Sequence, residues 1–131
     1  MSTAPGFKTA LGRTRGLGAS HTGVGGFIVE RTTSVALVFL CLWAVWAMVA
    51  VAPGGYDGAV AFLRNPINAT LAVLLVAISF QHTHIGMRVI IEDYVPGHSA
   101  RLACLLLNSA VALLGGALGV VALLRVAVSA A

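Results

Sequence analysis

The chain has 131 residues, of which 59% are hydrophobic and only 9% are charged. Soluble domains carry about 25% charged residues, so the composition excludes an ordinary soluble enzyme domain. The formal net charge of +4 comes from basic residues that flank apolar stretches, and we therefore expect it to reflect membrane topology and not nucleic-acid binding.

Three long stretches of the chain contain no charged residue: residues 32–52, 65–87 and 102–124. A membrane-spanning helix needs roughly 20 mostly apolar residues, and a helix satisfies its own backbone groups in lipid. We predict an all-α membrane protein with three transmembrane helices in a domain of residues 27–128, preceded by a cytoplasmic N-terminal segment of residues 1–26. The predicted spans cover approximately residues 27–52, 66–93 and 99–126.

Basic residues predict the orientation of these spans. Five of them lie in the N-terminal segment and in the loop between the second and third spans, and two lie on the opposite side. By the positive-inside rule, the N-terminus is then cytoplasmic and the C-terminus periplasmic, in the inner membrane. The five are Lys8, Arg13, Arg15, Arg88 and Arg101, and the two are Arg64 and Arg125.

Proline and glycine mark the ends of the predicted helices. The sequence Pro53-Gly54-Gly55 is a strong helix stop, which places Tyr56 and Asp57 in an outer loop. Pro66 suits the first turn of the second span.

In the third span, Gly115 and Gly119 form a GxxxG pair that allows another helix to approach closely. Packing within the chain's own bundle and packing against another subunit both fit this pattern.

The second span contains two histidines, His82 and His84. Polar groups at membrane depth are costly, which makes them candidates for function, and imidazole is a common ligand of haem iron. Residues two apart on a helix point about 200° apart, so the two imidazoles do not ligate the same iron. A six-coordinate haem held by His82 therefore needs its other axial ligand from elsewhere, most simply from another polypeptide. Gly86 lies one turn beyond His82 and leaves room for a flat macrocycle.

Structural explanations remain open for each of these candidates. A buried histidine often only donates a hydrogen bond to a neighbouring helix, and a tyrosine at the position of Tyr94 is more often a membrane-interface anchor than a substrate contact. Asp93 fits an ordinary solvated acid, and Arg31 fits a side chain that extends to the membrane surface.

Two motifs resemble those of the D-type membrane anchor subunit of succinate dehydrogenase, respiratory complex II. The likeness covers nearly the whole chain, since length, span number and orientation also agree. The second-span motif is fairly specific and consists of His82, Gly86, Met87, Ile90, Asp93 and Tyr94. The other motif, at the start of the first span, runs from Gly26 to Val35 and includes Arg31.

The resemblance implies a four-subunit enzyme in which a flavoprotein subunit oxidises succinate and an iron–sulfur subunit carries the electrons to the membrane. This chain and a C-type cytochrome b anchor would hold haem b between them and form a ubiquinone site within the membrane lipid. His82 matches the axial haem ligand, Tyr94 and Asp93 match quinone-site residues, and Arg31 matches an arginine near the haem propionates. The chain itself is then a subunit without a catalytic activity of its own.

The chain departs from this pattern at two places. Gly25 and Gly26 stand where some relatives have a histidine near the propionates, and His84 stands where relatives often have an aromatic residue. The role of His84 stays open. Two rival functions also remain: an anchor of a fumarate reductase, and a non-enzymatic membrane scaffold or transporter subunit whose histidines are structural or carry protons.

Overall fold

The computed structural model describes residue 10 and residues 24–129, and the elements within this part of the chain are helical. The predicted cytoplasmic segment of residues 1–26, with Lys8, Arg13 and Arg15, lies outside the described residues, apart from residue 10 and residues 24–26. Between residues 24 and 129 the α-helices are α1 (Val24–Val51), α2 (Gly55–Arg64), α3 (Pro66–Tyr94) and α4 (His98–Ser129). A 3-10 turn, Ala52–Gly54, joins α1 to α2.

Among the described residues, three helical stretches are long and apolar enough to cross a membrane, which confirms the predicted all-α fold class with three spans. They are Val24–Arg64, Pro66–Tyr94 and His98–Val128, with mean hydropathies of 2.6, 1.4 and 2.3. Only 11%, 0% and 6% of their most apolar windows are buried within the chain. Their apolar side chains must therefore be covered by lipid or by other polypeptides.

Local sequence explains where α3 begins and ends. The side-chain oxygen of Asn65 accepts a hydrogen bond from the backbone N–H of Ile67 at 2.9 Å, and Pro66 occupies the first turn. At the other end, Val95 is extended, as expected for a residue before proline. Gly97 then has a φ of 89°, a left-handed conformation that glycine adopts without steric cost, and the chain turns back into α4.

The segment after α1 differs from its prediction. α1 does end at the Pro-Gly-Gly stop, but the following residues, including Tyr56 and Asp57, form helix α2 and not an irregular loop. The ring of Phe62 in α2 lies 6.1 Å from those of both Trp43 and Trp46 in α1. Tertiary packing of aromatic rings thus supports a short helix that turn propensity alone does not predict.

The spanning helices form a row with α3 in the middle. α3 packs against both α1 and α4, whereas no pair of Cα atoms from α1 and α4 lies within 8 Å in the described part of the chain. The row leaves little interior: among the described residues, the buried hydrophobic side chains are Leu40, Ala47 and Ile91. The central helix that carries both histidines is consequently open on its remaining faces.

Glycines allow α3 and α4 to approach closely. A Cβ atom at Gly115 would lie 2.5 Å from Cε1 of Phe80, and one at Gly119 would lie 2.8 Å from Cγ1 of Val76. Real Cβ contacts essentially never occur at such distances. The GxxxG pair therefore serves packing within this chain, one of the two alternatives that the sequence left open.

We expect Gly115→Ala and Gly119→Ala to destabilise the protein, by about 1–3 kcal/mol each, because the added methyl groups overlap Phe80 and Val76. Thermal unfolding in detergent measures the effect. Gly116→Ala is the matched control, since its Cβ would lie 3.4 Å from the nearest atom, an ordinary contact, and alanine favours the helix. Equal stability of all three variants would contradict the proposed close approach.

Candidate functional site

His82 is half-buried on the side of α3 that faces α1. Its Nδ1 atom lies 2.9 Å from Oγ1 of Thr33, which is a residue of α1. No hydrogen bond to Nε2 occurs within the described part of the chain. One ring nitrogen is thus hydrogen-bonded within the protein, and the other has no hydrogen-bond partner among the described residues.

His84 lies on the opposite side of α3 from His82, as predicted from the 200° angle between residues two apart on a helix. Its carbonyl oxygen accepts a hydrogen bond of 3.0 Å from the Asn108 side-chain amide of α4. His84 also lines an apolar groove between α3 and α4, together with Gln81 and Ser109. The two imidazoles therefore belong to different surfaces of the molecule, and only His82 is connected to α1.

The face of α3 one turn beyond His82 is open. A Cβ atom built on Gly86 meets no atom within 4 Å, so the packing of this chain does not require glycine there. A glycine inside a helix costs roughly 0.5–1 kcal/mol relative to alanine. A group outside the chain that needs the space would account for this residue.

Asp93 and Tyr94 lie together at the C-terminal end of α3. Both are exposed, Tyr94 to 80%, and within the described residues neither side chain has a hydrogen bond or an ion pair. Glu92 is engaged differently, because Arg88 Nε donates to its carboxylate at 2.8 Å on the same helix. A negatively charged side chain at a helix C-terminus interacts unfavourably with the helix dipole. Asp93 therefore does not stabilise α3, and helix stability does not account for its presence.

Arg31 is exposed on α1, and its guanidinium lies 5.2 Å from the centroid of the Phe27 ring. It precedes Thr33 by two residues, so the two side chains point about 200° apart around α1. The structure brings Thr33 to His82 but does not bring Arg31 into contact with either of them.

Metal binding at this site would depend on a single imidazole. Within the described part of the chain, no three His, Cys, Asp or Glu side chains are grouped so that they can hold a metal ion. A metal at His82 must then arrive with most of its donors, as iron does in a porphyrin. The half-buried imidazole and the open space at Gly86 fit a haem better than a bare ion.

A family comparison identifies the class of protein that has this architecture. The model of the succinate dehydrogenase/fumarate reductase transmembrane subunit matches residues 6–123. The chain belongs to this family.

Bacterial relatives agree with this assignment. The chain is 27% identical over 95 residues to the succinate dehydrogenase hydrophobic membrane anchor subunit of Rickettsia typhi. The aligned segment covers 72% of this chain and 76% of that protein. The corresponding subunit of Rickettsia felis is 28% identical over 95 residues, with 72% and 75% covered. No solved structure matches the chain.

Membership of the transmembrane-subunit family and the three apolar helices show that the chain is a multi-pass membrane protein. An inner-membrane location is consistent with the bacterial relatives. The roles of His82, Arg31, Asp93 and Tyr94 remain predictions, for which the structure supplies positions and surroundings.

The sequence analysis did not predict that Thr33 belongs to the candidate site around His82. The first-span motif contains it, but a threonine in an apolar helix usually bonds only to its own backbone. A signal was available in the polar run Thr32-Thr33-Ser34 at the start of a span. Its register against α3, which determines that Thr33 meets His82, follows only from the tertiary structure.

We expect Asn108→Leu to lower stability by about 0.6 kcal/mol, the average for a side-chain hydrogen bond between membrane helices, because it removes the bond to the His84 carbonyl. Chemical or thermal unfolding in detergent measures the difference. Ser109→Ala is the control, since its hydroxyl donates to Leu105 within α4. An Asn108→Leu variant as stable as wild type would show that this bond does not stabilise the α3–α4 pair.

Proposed function

We propose that the chain is the D-type hydrophobic membrane anchor of a succinate:quinone oxidoreductase, in which it binds haem b jointly with a C-type cytochrome b anchor and helps to form the ubiquinone-reduction site. The observation that carries this proposal is His82, an imidazole on the central helix whose Nδ1 is hydrogen-bonded to Thr33 and whose Nε2 has no hydrogen-bond partner in the part of the chain that the structure describes. Family membership supplies the chemical context.

His82 would be the axial ligand that this chain gives to the haem. The haem would supply a one-electron redox centre within the membrane. A further ligand to the haem would come most simply from another polypeptide, because His84 lies on the opposite side of α3. The nearly unburied row of helices supports such a partner, since α3 has open faces on which a second anchor can pack.

Arg31 would bind the haem propionates. A guanidinium is permanently charged and presents a planar set of donors that suits carboxylates. Its present contact with the Phe27 ring is a weak one at an exposed position, so the side chain is free to turn toward an anion. Apart from this contact, no described residue forms a hydrogen bond or an ion pair with the guanidinium.

Tyr94 and Asp93 would form this chain's part of the quinone site. The phenolic hydroxyl of Tyr94 can donate a hydrogen bond to a quinone carbonyl oxygen, and the exposed carboxylate of Asp93 can take part in proton delivery. Quinone reduction consumes two protons, and both side chains lie at the helix end, about 18 Å along α3 from His82. Positioning and hydrogen bonding, not covalent catalysis, are the contribution of this chain.

In this proposal the end of α3 lies on the cytoplasmic side, with the N-terminus cytoplasmic and the C-terminus periplasmic. Arg88 and Arg101 flank the α3–α4 turn, whereas Arg64 and Arg125 lie at the other end of the helices. The iron–sulfur subunit would dock on the cytoplasmic side, and the flavoprotein subunit would bind to it.

An anchor of a fumarate reductase is the second candidate, because the family includes the transmembrane subunits of both enzymes. The two functions use the same helices and the same haem ligand, and differ in the direction of electron flow. The relatives, which carry the name of succinate dehydrogenase, favour the first.

We expect His82→Ala to abolish or strongly alter the b-type haem absorbance of the purified complex, because the iron loses a ligand. Reduced-minus-oxidised difference spectra measure this. His84→Ala is the matched control, and its spectrum should stay close to that of the wild type. An unchanged spectrum in His82→Ala, with His84 intact, would refute the ligand assignment.

We expect Tyr94→Phe to lower quinone reductase activity by about tenfold, since a hydrogen bond to the quinone is lost, at a cost of about 1.4 kcal/mol. Succinate oxidation with an artificial acceptor should be retained. Tyr56→Phe is the control, because Tyr56 is similarly exposed, at 78%, but lies in α2. Equal loss of both activities in Tyr94→Phe would count against a quinone contact.

A further inference from the structure

The hydroxyl of Thr33 contacts three groups at once. It lies 2.9 Å from the carbonyl oxygen of Val29 and 3.0 Å from that of Glu30, both in its own helix. Across the helix pair, it lies 2.9 Å from Nδ1 of His82. A hydroxyl has one proton to donate and two lone pairs with which to accept, so the three contacts cannot all be donations.

This geometry is compatible with one arrangement of the protons that satisfies all three contacts. The hydroxyl of a threonine in a helix can donate to the carbonyl groups three and four residues earlier, and both are within reach here. With its proton directed to them, the oxygen presents a lone pair to His82. Nδ1 must then carry the single N–H of the neutral ring, which leaves the lone pair of Nε2 free.

We propose that Thr33 is a positioning residue that holds His82 in the Nδ1–H form and thereby directs Nε2 to the haem iron. This inference rests on the function proposed above. Histidines that bind metals generally donate their other ring N–H to an acceptor, which fixes the tautomer and the orientation of the ring and raises its basicity. Thr33 provides this acceptor from a different helix.

Two further features make Thr33 suitable for this task. Its β-branched side chain has few allowed rotamers in a helix, so the oxygen has a defined position. Donation to a carbonyl also polarises the hydroxyl and strengthens it as an acceptor. A more basic imidazole favours ferric over ferrous iron, and Thr33 therefore lowers the midpoint potential of the haem.

The test is a redox titration of the haem absorbance in the complete purified complex. Thr33→Val keeps the shape of the side chain but removes the acceptor. We expect the midpoint potential of the haem to rise in this variant, by up to about 59 mV. For a one-electron couple, a rise of this size corresponds to a tenfold weaker preference for ferric iron. The low-spin ferric resonance signal of the haem should shift in the same variant.

Two further variants separate this role from a general effect on α1. Thr33→Ser keeps the hydroxyl, and we expect a potential close to that of the wild type. Ser34→Ala removes a neighbouring hydroxyl that donates to the Glu30 carbonyl at 2.8 Å and does not contact His82, and its potential should be unchanged. If the complex with Thr33→Val does not assemble, Thr33→Ala is used in its place. The inference is also supported if the Thr33→Ala complex assembles without haem while the Thr33→Ser complex retains it.

A Thr33→Val complex with full haem, wild-type potential and wild-type resonance signal would overturn the inference, as would an equal shift in Ser34→Ala. Such results would leave the proposed function intact. The function itself fails on different observations, namely a wild-type complex that contains no haem, or a haem that is unaffected by His82→Ala.

Discussion

Within the described residues, α1 and α3 share one side-chain hydrogen bond, between Thr33 and His82. It joins the beginning of the first span to the later part of the second and determines how the imidazole is oriented. At membrane depth, no water competes for the hydrogen bond between these two side chains. For the same reason, the hydroxyl and the imidazole both need hydrogen-bond partners from protein. The bond satisfies Nδ1, and among the described residues Nε2 has no hydrogen-bond partner, so one contact contributes to packing and is compatible with the proposed ligand role.

The arrangement of the spans leaves much of the apolar surface of the described residues exposed. The α3–α4 pair is closely packed through Gly115 and Gly119, against Phe80 and Val76. α1 packs against the other side of α3 and against the short helix α2, and within the described residues no pair of Cα atoms from α1 and α4 lies within 8 Å. The result is a row and not a closed bundle, with an open face at Gly86. A second anchor subunit and a haem on such a face would bury apolar surface that this chain exposes.

Much of the fold could be predicted from the sequence, because hydrophobic length and the positions of proline and glycine determine spans and turns directly. The opposite directions of His82 and His84 also followed from helix periodicity. The sequence did not predict α2, since the packing of Phe62 against Trp43 and Trp46 is tertiary. Nor did it predict the part played by Thr33, because the register between two helices depends on side-chain packing along their whole contact.

A density map of the assembled complex, purified from its own membrane, tests the central claim most directly. The account predicts a porphyrin whose iron is bonded to Nε2 of His82, with Nδ1 still at hydrogen-bond distance from Thr33 and the second axial ligand from another subunit. A map in which the His82 ring contacts only protein, or in which the iron is bonded to His84, would contradict it.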